Sequence, residues 1–336
     1  MKERGQGSLR IALPWLKSAS DADVLEAAER SRSPSGEWLV GRRESIVVEN
    51  RAWREWLLGG LDAGGEMLRD CPAGPCSRSL DSVVPPKGAW GCARPVHLLT
   101  AIDHLQLAPG RLALHEDESA RLVVDINRHL ECDGFRLHVS GASADWHLEC
   151  AQPIECTSVE PDDASGRNLR DLMPGGPDGA RVRSLMNEIQ MLLHDHPVNI
   201  ERAQRRLPAV NSVWLWGIGS LGRVYPASLP LLYTDDAWLA GLWRLHGASP
   251  GSLEEFAASG ASGMDTLVAR AGAAVGDSAT ALALAETTCF APAKARLVQG
   301  ATSMISLLLG DQSIEVSARA RYRFWRRQRP LSESLA

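Results

Sequence analysis

Apolar residues recur at helical spacing in some stretches of the chain and alternate with polar ones in others. Trp53, Trp56 and Leu57 set a helix over 49–58, and Leu122, Val123, Ile126 and Leu130 line one side of an amphipathic helix over 116–130. Over 180–195, Leu185, Ile189, Leu192 and His196 fall at i, i+4, i+7 and i+11, so this helix buries one stripe. Pro197 ends it, because the residue before a proline is pushed out of helical φ/ψ. A further helix is expected over 21–30, with Ser20 as its N-cap. Period-2 patterns and turn residues predict strands at 9–13, 96–100, 105–107, 111–114 and 211–216. They also predict two hairpins, 135–139 with 146–150 and 303–309 with 313–318, the second turning at Gly310-Asp311. Residues 236–299 are alanine-rich and mainly helical in pattern.

Two stretches lack periodicity. Residues 59–91 carry Gly59, Gly60, Gly64, Gly65, Pro72, Pro75, Pro85 and Pro86, which marks a long loop and a boundary; 161–178 is a second loop. The fold class expected is α/β, a mixed sheet with flanking helices. Its parts are an N-terminal helical segment with the long Gly/Pro loop (1–91), a small α/β subdomain (92–160) and an α/β region (161–330). The strand carrying Trp214 and Trp216 is expected to be central in the last.

Composition narrows the class without naming a chemistry. The chain has 336 residues, 44% hydrophobic and 23% charged, with a formal net charge of −5, which is ordinary for a soluble globular protein and favours neither nucleic acid nor an anionic membrane. Arg319, Arg321, Arg323, Arg326, Arg327 and Arg329 alternate with Tyr322, Phe324 and Trp325, a pattern more typical of a solvated face than of nucleic-acid contact. The first residues lack the apolar core of a secretory signal, no stretch is long enough to span a membrane, and the seven cysteines are expected to be reduced thiols in a cytoplasmic protein.

The polar chemistry concentrates in Asn187-Glu-Ile-Gln-Met-Leu-Leu-His194-Asp-His196-Pro197-Val-Asn199 and Leu207-Pro-Ala-Val-Asn211-Ser-Val-Trp214-Leu-Trp216-Gly217-Ile-Gly219. Gly217-Ile-Gly219-Ser-Leu-Gly222 matches G-x-G-x-x-G, but Pro226 and Pro230 follow where a phosphate-binding helix would open, so a glycine-rich strand-to-loop turn is expected. His194 and His196 diverge on a helix, whereas zinc helices use i, i+4; capping and burial are the structural roles open to them. Asn199 can stabilise the turn after Pro197, or present itself with Arg202 to an anion. Trp214 and Trp216 share one strand face, as core or as indole donors to a ligand. Cys71/Cys76 and Cys150/Cys156 are loosely spaced for zinc, and no G-x-S-x-G elbow is present.

The order G-x-N at 166–168, a long helix, His-Pro-Val-Asn, Arg202 and then Asn-x-x-Trp-x-Trp-Gly-x-Gly resembles a block of the archaeal-type, cofactor-independent phosphoglycerate mutases. The chain resembles still more closely the bacterial RpfE-type regulatory proteins, through Pro95-Val96-His97-Leu98 and Arg323-Phe324-Trp325-Arg326-Arg327 as well. The resemblance implies a partial likeness to the alkaline-phosphatase-like mutase fold. In the mutases it implies a phosphorylated side chain and two divalent metal ions held by Asp and His. Here the first 60 residues contain no Asp-Gly and no histidine follows His246. The resulting expectation is a non-catalytic regulatory or partner-binding protein without cofactor or metal, sensing a phosphorylated small molecule or binding a protein. Arg167, His194, His196, Asn199, Arg202, Asn211 and Trp216 are its candidate ligand-binding residues. The alternative is an active mutase-like phosphotransferase with His97, Asp103 and Asp125 as ligands.

Overall fold

The first strand pattern, at 9–13, becomes the strand Gly7–Leu13, which lies inside a six-stranded mixed sheet. The computed structural model describes residues 7–16, 26, 28, 32–59, 61, 71–82, 85–100, 105–108, 110–130, 133–164, 167–222, 228–260, 263–272, 278–323, 325–326 and 330–332. These form two compact units, one of Met1–Asp70, Pro226–Asp236 and His246–Ala336, the other of Cys71–Tyr225 and Ala237–Leu245. No helix among the described residues is long and apolar enough to cross a membrane.

In the first unit the strand order is Ser45–Val48, Gln312–Ser317, Thr302–Leu309, Gly7–Leu13, Thr266–Ala269, Leu231–Thr234. The last four run parallel, and the first two join antiparallel through the hairpin turning at Gly310-Asp311. Parallel strands covered on both faces need near-continuous apolar sequence, and Ile11, Ala12 and Leu13 are all fully buried. Pro34–Gly41, Leu253–Ala258, Ser278–Ala285 and Ala291–Val298 are the helices of this unit's core, with Phe256, Phe290 and Leu297 buried among the strand residues. A π-turn, Glu286–Phe290, joins the last two helices. The Glu286 carboxylate accepts from Ser35 N (3.0 Å), Gly36 N (3.2 Å) and Ser33 Oγ (2.5 Å), closing the open N–H groups of Pro34–Gly41. The helix expected over 49–58 is shorter, Trp53–Leu58, because Glu49 stays with the sheet, its N–H donating to Asp311 O (2.7 Å) just past the edge strand Ser45–Val48. The helix expected over 21–30 lies almost wholly outside the described residues.

The second unit holds a four-stranded antiparallel sheet ordered Phe135–His138, Trp146–Cys150, Ala89–Val96, Ser212–Ser220. Its members come from both sides of residues 91 and 160, so neither position separates domains. Ala89–Val96 is inner and buried at all eight positions. The strand carrying Trp214 and Trp216 is therefore at an edge rather than central. That edge is covered: Trp214 Nε1 donates to Val159 O (2.9 Å) and Gly217 N to Ser158 Oγ (3.1 Å). Asn127 closes the opposite edge by bonding both Leu137 N (2.7 Å) and Leu137 O (2.8 Å), which blocks further strand pairing. Leu98–Thr100 and Leu105–Leu107 form a separate two-stranded ladder, and 111–114 is not a strand.

The 59–91 stretch contains a helix, Ala73–Arg78, a 3-10 turn, Ser79–Asp81, and the start of the inner strand. No periodicity announces that helix because it packs through backbone. A Cβ on Gly74 would lie 2.4 Å from Gly91 Cα, one on Gly217 2.6 Å from Ala73 Cβ, and one on Gly219 2.5 Å from Pro72 Cγ. Gly217 and Gly219 thus lie inside the strand Ser212–Ser220, not in a strand-to-loop turn, and make room for the helix start.

Candidate functional site

The helix expected over 180–195 spans Gly179–Leu193 and buries Val182, Leu185, Met186, Ile189 and Leu193; Leu192 faces off the stripe by one position. Pro197 opens a second helix, Pro197–Gln204, at its first position, where a missing N–H costs nothing. His196 is its N-cap: Nδ1 accepts from Val198 N (3.2 Å) while Nε2 lies 3.1 Å from Asp125 Oδ2. Asn199 Nδ2 donates to Leu193 O and Val210 O (both 2.8 Å), and its Oδ1 accepts from Val210 N (2.8 Å). One buried side chain thereby ties a helix end to the chain entering the Trp strand. Arg202, 1% exposed, donates through Nε to Pro208 O (2.8 Å) and through Nη1 to Ala113 O (3.1 Å) and Glu118 Oε2 (2.7 Å). Asn211 bridges Leu98 through N→Oδ1 (2.6 Å) and Nδ2→O (2.9 Å).

His196, Asn199, Arg202 and Asn211 are thus brought into one clasp whose named polar atoms bond protein groups. The other three residues are elsewhere. Arg167 is exposed and reaches Asp163 O (3.3 Å), and the His194 side chain is 83% exposed beside Asp195. Trp216 is buried on the sheet with its indole against Asp145. Of the alternative ligand set, His97 Nδ1 lies 2.8 Å from Ala209 O, Asp125 is engaged with His196 and Arg128, and Asp103 lies outside the described residues.

Two polar clusters were not singled out in the sequence. Arg94, 3% exposed on the inner strand, holds Asp145 with two hydrogen bonds (2.8 and 3.1 Å) and Asp162 with one (2.6 Å), and Arg111 adds a third guanidinium bond to Asp145 (3.2 Å). Burial would raise the Asp145 carboxyl, but Arg94 and Arg111 outweigh it and hold it below its ordinary range. A cleft of about 180 Å³ opens beside them, below the ordinary size of a metabolite pocket. In the second cluster His147 is fully buried with Nε2 2.7 Å from Ser77 Oγ and Nδ1 3.3 Å from Asp81 Oδ2. The last contact lacks hydrogen-bond alignment and Ser77 is 3% exposed, so the Ser-His-Asp order does not make a nucleophile that a substrate reaches.

At the carboxyl ends of the parallel strands, where α/β sheets bind ligands, stand Asp235 and Asp236. Asp236 Oδ2 is bonded to Arg54 Nη2 at 2.6 Å. Asp235 accepts from Ala271 N at 2.6 Å. Partial burial of the carboxyl group pushes Asp235 up to about 6, with the Ala271 N–H and Arg270 pulling the other way, although the residue as a whole is exposed, so the shift is felt less than full burial would give.

These two titrations have opposite signs. Burial depresses His147 from 6.5 to about 4, so the unfolded chain takes the proton first as pH falls. Its contribution is complete above pH 6.5 and lost towards pH 4, at most about 3 kcal/mol. The raised Asp235 contributes below pH 3.8 and loses that contribution as pH rises through 6, by less because solvent screens it. Urea midpoints measured from pH 4 to 7 should lose the acid-side decline in His147→Gln and steepen it in Asp235→Asn. Parallel profiles for wild type and His147→Gln would remove His147 as its source.

Among the described residues no group of three or more His, Cys, Asp or Glu is placed to hold a metal ion, and Asp236 is taken by Arg54. The described residues do not fit a two-metal centre. The described cysteines are free, with burial pushing the thiols of Cys92 and Cys150 up to about 12.

No family model matches the chain. Segments of it do match curated proteins. A 113-residue segment is 38% identical to the 2,3-bisphosphoglycerate-independent phosphoglycerate mutase of Methanosarcina acetivorans, covering 32% of this chain and 27% of that one. A 72-residue segment is 35% identical to the corresponding mutase of Methanosarcina barkeri (21% and 18%), and a 68-residue segment 37% identical to a probable one of Geobacter sulfurreducens (20% and 17%). Part of the chain is homologous to the cofactor-independent phosphoglycerate mutases. The match spans less than a third of those relatives' length. Among solved structures, the cofactor-independent phosphoglycerate mutase of Thermoplasma acidophilum aligns over 98% of this chain and 95% of its own at 16% identity, TM-score 0.43. The PH0037 protein of Pyrococcus horikoshii aligns over 93% and 88% at 12% identity, TM-score 0.46.

Proposed function

We propose that this mutase-like chain is a cytoplasmic regulatory protein of the RpfE type, which binds a phosphorylated metabolite or a protein partner without turning over phosphoglycerate. The observation that carries this reading is the use of the His-Pro-Val-Asn block. Asn199 and Arg202, the residues best suited to an anion there, spend their hydrogen bonds on Leu193, Val210, Pro208, Ala113 and Glu118. The block closes the second unit's core, and these donor atoms serve protein acceptors there. The pairing of Asp236 with Arg54, where a carboxylate would otherwise be open to a cation, supports the same reading.

An active mutase is the competing reading, favoured by the partial homology. Conversion of 2- to 3-phosphoglycerate by pure protein, with Mg²⁺ or Mn²⁺ supplied, separates the two. No turnover is expected; metal-dependent turnover lost in His97→Ala would sink the regulatory reading. A thermal-shift panel of phosphorylated metabolites then addresses sensing, and no shift by any of them would leave protein partnering.

A further inference from the structure

Each sheet has two ends where strand backbone is open to further pairing, and among the described residues all but one of these ends are closed. Asn127 holds Leu137 at one end of the four-stranded sheet, and Ser158 and Val159 cover the other. In the two-stranded ladder Asn211 bonds Leu98, and a bridge from Asn168 meets Gln106. Gly251 closes the Leu231–Thr234 end of the six-stranded sheet, donating to Leu232 O (2.8 Å) and accepting from Thr234 N (3.0 Å). The remaining end is Ser45–Val48, whose one strand partner among the described residues is Gln312–Ser317.

The register of that strand fixes which backbone groups stay open. Glu49 N donates to Asp311 O (2.7 Å), and antiparallel bonding recurs at every second residue, so Ser45, Val47 and Glu49 turn their backbone inward. Ile46 and Val48 turn theirs outward, where neither has a hydrogen-bond partner among the described residues. The side chains are open as well: Ile46 is 47% exposed, Val47 51% and Val48 64%. Ile46 and Val48 lie on the helix-covered face, in line with buried Ile314, and Val47 lies on the other, in line with Ser313. Three β-branched residues with no charge or proline among them favour pairing with another strand and do nothing to repel it.

We propose that Ser45–Val48 pairs antiparallel with the same strand of a second copy of this chain, joining two six-stranded sheets into one across a two-fold axis. The occupant follows from self-complementarity. With Val47 opposite the partner's Val47, Ile46 falls opposite the partner's Val48, and every outward N–H meets an outward C=O. Centring the pair on Ile46 would set Val48 against Glu44. Centring it on Val48 would set Ile46 against Asn50 and Val47 against Glu49. Only the Val47 centre matches apolar with apolar at each position. Each copy presents one such edge, so the pairing closes at a dimer and does not run on into a fibre.

The test is sedimentation of the full chain over about 1–200 μM, the range of a small, weak interface. A reversible monomer–dimer equilibrium is expected. It should weaken at least tenfold in Val47→Lys, which sets like charges face to face, and in Val48→Pro, which removes an outward donor while the inward bonds stay. Cross-linking reads the register. Val47→Cys should form a symmetric disulfide that wild type lacks, because a directly facing, non-hydrogen-bonded pair brings Cα atoms to about 4.5 Å; Ile46→Cys should not. A monomer at every concentration would overturn the pairing, whether hydrogen exchange finds the Ile46 and Val48 amides fast, as on a bare edge, or slow, as under a segment of the same chain. A dimer unaffected by Val47→Lys, or cross-linked as readily through Ile46→Cys as through Val47→Cys, would overturn it equally.

Discussion

Replacing Arg94 with methionine is expected to cost the second unit about 3–5 kcal/mol, because it removes one partner of a buried ion pair and leaves the other charged. Asp145 is 4% exposed and takes two of Arg94's hydrogen bonds; Arg111 and the Trp216 indole would remain to it. Asp162, half-exposed, can return to water. The pH dependence is itself diagnostic. Asp145 has a lowered carboxyl pKa, so its pairing contributes above the unfolded value of about 3.8 and is lost as pH falls through the folded one. The deficit of the variant should therefore be full at neutral pH and shrink in acid. Adding Asp145→Leu to Arg94→Met should recover part of the loss, since an apolar pair can replace a buried ionic one. Denaturant unfolding measures both, and a single variant within about 1 kcal/mol of wild type would show that Asp145 is not desolvated as described.

Gly241→Ala should be nearly as damaging for an unrelated reason. In helix Ala237–Leu245, a Cβ at Gly241 would lie 1.8 Å from Cys76 O and 2.5 Å from Cys76 C, in the helix Ala73–Arg78. Both obstacles are backbone, which cannot rotate away. Ser79 Oγ, bonded to Cys76 O (2.6 Å) and Gly241 O (3.3 Å), seals the contact. Separating the helices costs about 3 kcal/mol, the upper end of ordinary overpacking. Hydrogen exchange should show 73–81 losing protection first. A melting temperature within about 2 °C of wild type would refute the close approach.

What the sequence disclosed depended on the range of the interaction. Gly7–Leu13, Glu116–His129, the 135–150 hairpin and the closing hairpin were legible because their apolar spacing reports a buried face directly. Ala73–Arg78 was not, because its contacts are glycine against backbone and carry no periodicity. His-Pro-Val-Asn was legible as a helix stop but not as the next helix's start, although a polar residue followed by proline is an N-cap signature. Strand position was hidden too: Ser212–Ser220 is as apolar as a central strand because 158–159 covers its outer edge. Of the candidate residues, four come together, yet nothing local in the sequence says that Asn199 serves the backbone of Leu193 and Val210. Arg94 with Asp145, 51 positions apart, left no local pattern to find.

The threading of the two sheets sets an order of events during synthesis. Gly7–Leu13 pairs with strands beginning at Thr266 and Thr302, so the parallel sheet cannot close until Leu309 has left the ribosome. The antiparallel sheet is complete once Ser220 has emerged. Non-local pairing is slow, and an unsatisfied apolar strand waiting for partners is prone to misassociate. Nascent chains halted near residue 250 should thus protect 89–96 and 212–220 from protease while 7–13 is still cut, giving the protein a half-folded stage during which the strand Gly7–Leu13 needs shelter.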